Sequence, residues 1–415
     1  MFSKIITDIR FFKIFALGIV SGMPFAILYT TIIAWMNEFA IDFTTVALMA
    51  SARMPYSLKF LWSPFLDYFS PPILGQLFGR RRSWMMLTSL GIAAILFYMA
   101  TTIPSNENFY QLFFLSVAIC FLAATYDISY DALRIEMLSR DEQAIATAHV
   151  SLAYRIGVIL TGAIALLCAH HYGWQTTFLM LSWLFLIGAV LSCIIQTPNT
   201  EPSAIRANFF QSTYLSFKDL LIQKHFTLIL CTIIIYKIGD AMLAFVGIKF
   251  YREIGFSLEE IAYVVKTCGL IATIIGSYVG GIVMMRLGQT KGLLFCGAAQ
   301  MTTNLGYIWL HHAGHDINVF LITNICENFT GGMGAAALGG YIATLCNIKF
   351  AANQFALLSS CSAFMNSSLT SSSGYLVEKM GWDMYFVFTA VVSLPALFLL
   401  LILNKKINED NSQQR

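Results

Sequence analysis

The stretch Lys59–Trp84, KFLWSPFLDYFSPPILGQLFGRRRSW, decides the fold. An apolar segment ends at Trp62, Phe65 and Leu66. Asp67 follows, then Pro71-Pro72, Gly79 and the triplet Arg80, Arg81 and Arg82, and a new apolar segment begins at once. Three adjacent cations between two apolar runs mark a tight turn on the cytoplasmic side of a membrane, because an excess of Lys and Arg holds a loop there. Asp67, placed at a helix end beside the arginines, adds a second reading, that of a cytoplasmic gate. Topology alone, with the positive charge fixing orientation and Asp67 solvated, accounts for the same residues.

The rest of the composition agrees with a membrane protein. Of 415 residues, 58% are hydrophobic and only 11% charged, against roughly 25% charged in soluble domains, and the mean hydropathy is +0.70. This is an all-α integral membrane chain. Its 34 Phe and 18 Tyr suit lipid-facing and interfacial surfaces. The net charge of +3 is small and says nothing about nucleic acid; no basic-aromatic patch of the kind that binds strands is present, and no nucleic-acid partner is expected. The nine cysteines, among them Cys120, Cys193, Cys231, Cys268 and Cys296, lie mostly inside apolar runs without a C-x-x-C pair. They read as small buried hydrophobes rather than disulfides or ligands.

A bilayer core of roughly 30 Å needs about 20 apolar residues per helix. Twelve such runs fall at 11–36, 44–66, 83–103, 109–137, 144–168, 174–196, 226–250, 256–285, 292–312, 317–346, 353–378 and 384–404. Breaks coincide with turn chemistry such as Ile103-Pro104-Ser105-Asn106, His171-Tyr172-Gly173, Gly314-His315-Asp316 and Met380-Gly381. The first run is too long for a signal peptide and is expected to stay as the first helix. Lys4, Arg10, Lys13, Arg80, Arg81, Arg82, Arg140, Arg206, Lys218, Lys224, Arg286, Lys291, Lys349, Lys405, Lys406 and Arg415 fall on one side of the resulting topology. Only Lys249, Arg252 and Lys379 fall on the other, which places both termini in the cytoplasm.

The longest polar stretch, 197–225, carries Pro198, Pro202 and several charges at mid-chain. It separates a six-helix bundle over 1–196 from a second over 226–404, followed by a tail at 405–415, and its later part suits an amphipathic helix on the inner membrane face. The halves look like repeats. His171-Tyr172-Gly173-Trp174 matches Lys379-Met380-Gly381-Trp382, and Ser63–Asp67 matches Gly281–Arg286, with Met285 standing where Asp67 stands. Parallel repeats related by an axis along the membrane normal are one of the transporter architectures.

Ionisable residues inside the runs are the second signal, since each costs roughly 2.5–3.5 kcal/mol at the bilayer centre on insertion scales. The second run holds Arg53 and Lys59. The fourth holds Asp127, Asp131 and Arg134 in TYDISYDALRIE, spaced so that one helix face presents two carboxylates and a guanidinium. Arg155, the pair Lys237 and Asp240, Lys266 and Glu327 follow in the fifth, seventh, eighth and tenth runs. Such groups must face one another or water, and transporter sites sit near the midplane. Two readings stay open: salt-bridge scaffolding, pairing Lys237 with Asp240, Asp127 with Arg155 and Glu327 with Lys266, or solute binding and proton relay. In the second reading Asp127 and Asp240 are the favoured proton carriers, because each neighbours a base and a flexible or aromatic position.

Gly276, Gly280 and Gly281, and the series Gly331, Gly332, Gly334, Gly339 and Gly340, let helices approach closely or bend. Pro24 with Gly22, and Pro55, are expected kinks. His311, His312 and His315 resemble metal ligands by type, but they sit in a short outer turn and read as a polar loop. No metal or cofactor is expected. Glu259-Glu260 reads as a solvated helix start. No Ser/His/Asp or Cys/His grouping has catalytic spacing, so no enzyme is expected.

The segments KFLWSPFLD with PP and GRRRSW, YDISYDA, AYRIGVILTGAIAL, YKIGDA, VKTCGLIATIIGSYVGGI, and ENFTGGMG followed by TLCNIKFAANQFALLSS together resemble the AmpG-type muropeptide permeases of the major facilitator superfamily (MFS). The resemblance runs from GIVSGMPFAILYTTIIAWM to the eleventh run. It implies the MFS fold of twelve transmembrane helices in two pseudo-symmetric six-helix bundles. It also implies proton-coupled import of N-acetylglucosaminyl-1,6-anhydro-N-acetylmuramyl peptides across the bacterial inner membrane by alternating access, in a monomer. Arg155, Lys237 and Lys266, with Tyr126 and Tyr236, suit a ligand of sugars, amides and carboxylates. Tyr126 stands where the family carries an amide residue, and CSAFMNSSLTSSSGYL is unusually serine-rich. The alternatives are a permease of the same fold for another sugar derivative, peptide or acyl-CoA-type compound, and a membrane sensor that does not transport.

Overall fold

The computed structural model describes residues 8–39, 49–195, 208–370 and 372–413, and every regular element among them is a helix. They form twelve spans: α1 (Ile9–Glu38), α2 (49–68), α3 (Arg80–Ala100), α4 (Phe109–Met137), α5 (143–172), α6 (174–194), α7 (Phe226–Glu253), α8 (Leu258–Leu287), α9 (289–313), α10 (Ile317–Leu345), α11 (351–370, continued by 373–380) and α12 (382–413). Seven continuous stretches are by themselves long and apolar enough to cross a bilayer, or eight if α10 and the start of α11, bent by 103°, count as one. Twelve is the larger number because Arg140–Ile194 contains both α5 and α6, because α2 and α9 are broken into shorter pieces, and because α10 and α11 count as separate spans. In α2 the cause is proline. Pro55 and Pro64 each sit in the first turn of a short helix, where a missing N–H is tolerated and a fixed φ helps.

Two spans change helical form. Behind Pro24, α1 widens into a π-helix over Ile27–Thr31, and α8 does the same over Ala262–Cys268. Such widenings concentrate at functional sites.

The repeat read from the sequence is present in the backbone. Gly79 and Gly288 precede α3 and α9 with φ/ψ of +82°/159° and +80°/171°. Gly173 and Gly381 precede α6 and α12 with +80°/165° and +74°/170°. This region of φ/ψ space is open essentially to glycine alone. Directly after the second pair, Trp174 Nε1 donates to Glu38 Oε2 and Trp382 Nε1 donates to Glu253 Oε2, each at 2.7 Å. Each tryptophan therefore ties the start of α6 or α12 to the end of α1 or α7.

The chain divides into two compact units. The first takes the residues up to Leu138, His149–Phe217 and Cys346–Leu357; the second takes Ser139–Ala148, Lys218–Leu345 and the residues from Leu358 on. Each unit therefore contains the first turns of a helix whose remainder belongs to the other. Residues 197–207 of the expected linker, with residue 196 before it, lie outside the described residues. Its later part is the helix Phe209–Ile222, as expected, with Phe210, Tyr214 and Leu221 exposed along one stripe and Ser216 and Leu220 buried. All nine cysteines are free.

Large apolar side chains such as Phe12, Phe114, Trp183, Ile187 and Phe398 are exposed, as lipid-facing surfaces require. Inside, glycines bring helices together. A Cβ on Gly276 would run into the Phe329 carbonyl, one on Gly280 into Met333, and one on Gly332 into Thr273, so α8 and α10 are in backbone contact. Gly22 and Gly157 do the same for α1 and α5. Overpacking typically costs about 1–3 kcal/mol, and more where backbone must move. Gly276→Leu is therefore expected to lower the thermal unfolding midpoint in detergent, whereas Gly374→Leu, with no atom within 4 Å of its would-be Cβ, is expected to leave it near wild type. Equal midpoints for the two variants would contradict the close approach.

Candidate functional site

The α2–α3 turn holds the first buried charge cluster. Arg81 Nη2 stands 2.6 Å from Asp67 Oδ1 and 2.9 Å from Glu136 Oε1, and its Nη1 donates to the Leu66 carbonyl at 3.2 Å. All three charged side chains are at most 5% exposed. A planar guanidinium serves two carboxylates at once in a way that an ammonium does not. Arg80 donates to the Asp67 carbonyl, and Arg82 to the carbonyls of Cys193 and Ile195 at the end of α6. Asp67 also accepts from the backbone N–H groups of Asn353 at 2.8 Å and Ala352 at 3.3 Å, in the first turn of α11. A carboxylate is well placed there, because the first N–H groups of a helix have no partner inside it. Asn353 further receives the Ser63 hydroxyl at 3.2 Å and donates to Ser216 at 2.8 Å.

The second unit solves the equivalent problem without a charge. Met285 replaces Asp67, and the start of α5 meets bare backbone instead. Would-be Cβ atoms on Gly281 and Gly340 run into the main chain of Ile145 and Ala144, and one on Gly339 into the Thr147 side chain.

Deeper in the first unit, Asp127 accepts from the Ser21 hydroxyl at 2.6 Å, joining α4 to α1. Asp131 lies 3.6 Å from Arg134, which also rests 5.2 Å from the centre of the Phe355 ring. Lys59 is close enough to Asp131 to act on it electrostatically. Asp127 and Arg155 do not pair. Arg155 is half-buried on α5 beside Tyr154, and its Nε has no hydrogen-bond partner among the described residues. Tyr126 is spent on packing: its hydroxyl donates to the Leu17 carbonyl at 3.0 Å and the residue is 3% exposed. A different aromatic is open. Tyr29, in the π segment of α1, stacks on Phe25 at 4.2 Å and carries the Arg53 guanidinium 3.5 Å above its ring.

In the second unit Lys237 Nζ donates to Asp240 Oδ2 and to the Gly331 carbonyl at 3.3 Å. A Cβ on Gly331 would lie 3.6 Å from Asp240 Oδ2 and 3.9 Å from both Gln300 Nε2 and Glu327 Oε1. Two carboxylates, an amide and an ammonium thus converge on the space this glycine leaves open. Glu327 accepts from Asn328 at 3.0 Å and its neighbours are Asp240 and Lys237; the expected pair with Lys266 is not formed, and Lys266 is exposed on the π segment of α8. Like Tyr126, Tyr236 is buried, donating to the Leu293 carbonyl at 2.9 Å. Gln300 and Asn304, one turn apart on α9, were not among the candidates read from the sequence. Among the described residues, Gln300 has no partner at either polar atom, and Asp240 Oδ1 and Asn304 Oδ1 are likewise unpartnered. Buried polar atoms left open in this way mark places where water, ions or solute complete the hydrogen bonding.

These features belong to a known class. The model of the Major Facilitator Superfamily matches residues 14–367 and 239–415. The fold is similar to that of the Escherichia coli fucose:proton symporter FucP (TM-score 0.71, 15% identity, 95% of this chain and 98% of that one) and of the proton:xylose symporter XylE (TM-score 0.64, 12% identity, 94% of each). Among proteins compared by sequence, one of Rickettsia felis carrying the transporter name AmpG 4 is 43% identical, covering 98% of this chain and all of the relative. The anhydromuropeptide permease of Escherichia coli strain K12 is 34% identical over 93% of this chain and 78% of its own length. The chain belongs to the major facilitator superfamily and, within it, to the AmpG family of anhydromuropeptide permeases.

Breaking a buried ion pair by removing one partner costs about 3–5 kcal/mol. Arg81→Ala is therefore expected to lower the unfolding midpoint in detergent well below that of Arg80→Ala, whose interaction with Asp67 is to a main-chain carbonyl. Indistinguishable midpoints would mean that the Asp67–Arg81–Glu136 cluster contributes nothing to stability.

Proposed function

We propose that the chain imports anhydromuropeptides across the bacterial inner membrane, by alternating access and in symport with protons, as a monomer with both termini in the cytoplasm. The observation that carries the choice of solute is the near-full-length kinship with the E. coli permease. The buried ionisable groups support the mechanism. Lys237, with Asp240, Glu327 and Gln300 around it, has two carboxylates to choose between, and a proton on either one changes which of them it serves. Asp127, held by one serine, is the corresponding acid of the first bundle, with Asp131 and Arg134 beside it. Arg155 and Lys266, neither of them in an ion pair among the described residues, are free to meet the carboxylates of a peptide. The open rings of Phe25 and Tyr29 take the sugar-facing role in place of the buried Tyr126 and Tyr236. The bundles extend over 1–196 and 226–404, with 197–225 as linker and 405–415 as tail. No chemical conversion is part of the cycle.

The Asp67, Arg80, Arg81 and Arg82 cluster serves as the cytoplasmic gate, its carboxylate holding the start of α11 in one state and releasing it in the other. The driving force is adequate, since one elementary charge moved across 100 mV gains about 2.3 kcal/mol. At about 1.4 kcal/mol per factor of ten this corresponds to roughly fifty-fold accumulation.

Membrane vesicles containing the protein are expected to accumulate labelled anhydromuropeptide when a proton gradient is imposed, and to lose that accumulation when the gradient is collapsed. Asp127→Asn and Asp240→Asn are each expected to abolish accumulation while still reaching the membrane. Normal uptake by both variants would move the proton to Glu327 or Asp131, and binding without accumulation in the wild type would favour a sensor. Arg81→Ala is expected to change the accessibility of cytoplasmic cysteine probes more than solute affinity; unchanged accessibility would remove the gate.

A further inference from the structure

One cluster in the second unit has no part in the transport reading. His311 and His312 close the helix Gly306–Ala313, which stops at Gly314 with φ of +66°. Asp383 lies in the first turn of α12, two residues after Gly381. His311 Nδ1 is 2.7 Å from Asp383 Oδ1, and His312 Nε2 is 3.1 Å from Asp383 Oδ2. The three ligand-type atoms all lie within 4.8 Å of one another. Successive residues on a helix point about 100° apart, so two adjacent imidazoles turned to one carboxylate do not follow from helix periodicity. His315, from the same turn, goes elsewhere, with its Nε2 3.1 Å from Glu260.

The surroundings are braced. The Phe250 ring packs 6.0 Å from His311 and 4.9 Å from Trp382. Trp382, next to Asp383, is fixed through its Nε1 to Glu253. Two imidazoles and a carboxylate are a donor set that suits Zn²⁺, with ligand distances of about 2.0–2.2 Å and hence ligand-to-ligand separations of about 3.3 Å in a tetrahedron. The two imidazoles contact different oxygens of Asp383 at hydrogen-bond distances, and the three atoms within 4.8 Å close to a tetrahedral set by a movement of the His312 side chain, which is 68% exposed. Solvent supplies the fourth position.

The geometry points to a divalent transition-metal site, of the zinc class, formed by His311, His312 and Asp383 and stapling the end of α9 to the start of α12. The sequence alone reads these histidines as a polar turn, because the third ligand comes from another turn some seventy residues on.

Full-length protein carrying no polyhistidine tag, purified in detergent and stripped with a chelator, tests the site by titration with zinc chloride near neutral pH. The expected result is saturable binding of a single zinc ion with a raised unfolding midpoint. Asp383→Asn and His312→Asn are each expected to weaken binding by about tenfold or more, as loss of a metal's supporting groups does, whereas His315→Asn is expected to bind as wild type. Cobalt substitution is expected to give tetrahedral visible absorption that the same two variants lose. The exposed position of His312 keeps its variant informative should Asp383→Asn fold poorly. No retained zinc in the wild type, or equal binding by all three variants, overturns the site and leaves one carboxylate bridging two imidazoles.

Discussion

A charge inside a bundle whose outside is apolar must find its counter-charge inside the bundle, and the arrangement of this chain follows from that constraint. Arg81 is the clearest case. Its guanidinium lies between Asp67 and Glu136, with all three buried. The surplus acceptor capacity of Asp67 is taken up by the backbone N–H groups that begin α11. The cluster therefore couples a side-chain ion pair to a helix end. That coupling makes it suited to a two-state role, since removing the helix end leaves a buried carboxylate short of donors, at a cost of order 1–3 kcal/mol per lost charged hydrogen bond.

The two repeats share their turns but not their chemistry. Four glycines in a conformation closed to other residues, and two tryptophan–glutamate bonds of equal length, recur in both halves. The helix-start contact differs. In the first unit α11 begins on a carboxylate; in the second α5 begins on the bare backbone of Gly281 and Gly340. A contact made of charge responds to protonation and to competing ions, whereas one made of close-packed backbone responds mainly to shape. The halves share their turns and differ in what holds the helix start.

Much of this was legible in the residues. The KFLWSPFLDYFSPPILGQLFGRRRSW stretch announces an acid–arginine turn, and the Gly-Trp pairs announce the repeat, because both signals are local in the chain. The spacing of Lys237 and Asp240 also foretold their pairing, since three residues along a helix bring side chains together. What failed were pairings across helices. Asp127 takes Ser21 rather than Arg155, and Glu327 takes Asn328 and the neighbourhood of Lys237 rather than Lys266. Which faces of two helices meet depends on where glycines permit close approach, and nothing in a residue's own neighbours encodes it. Gln300 was passed over because a neutral amide carries no charge signal; it became visible only when Gly331 and Gly334 placed its unpartnered atoms beside Asp240. Tyr126 and Tyr236 were read as rings suited to a sugar-containing ligand, yet both are buried with their hydroxyls committed to helix carbonyls.

We propose that the buried acids exchange protons as solute crosses the membrane. Proton movement in lightly buffered proteoliposomes, followed with a pH electrode as unlabelled anhydromuropeptide is added, tests it most directly. Alkalinisation of the outer medium that begins with solute addition, and that is absent for Asp240→Asn, is expected. Solute entry with no accompanying change in external pH would contradict it.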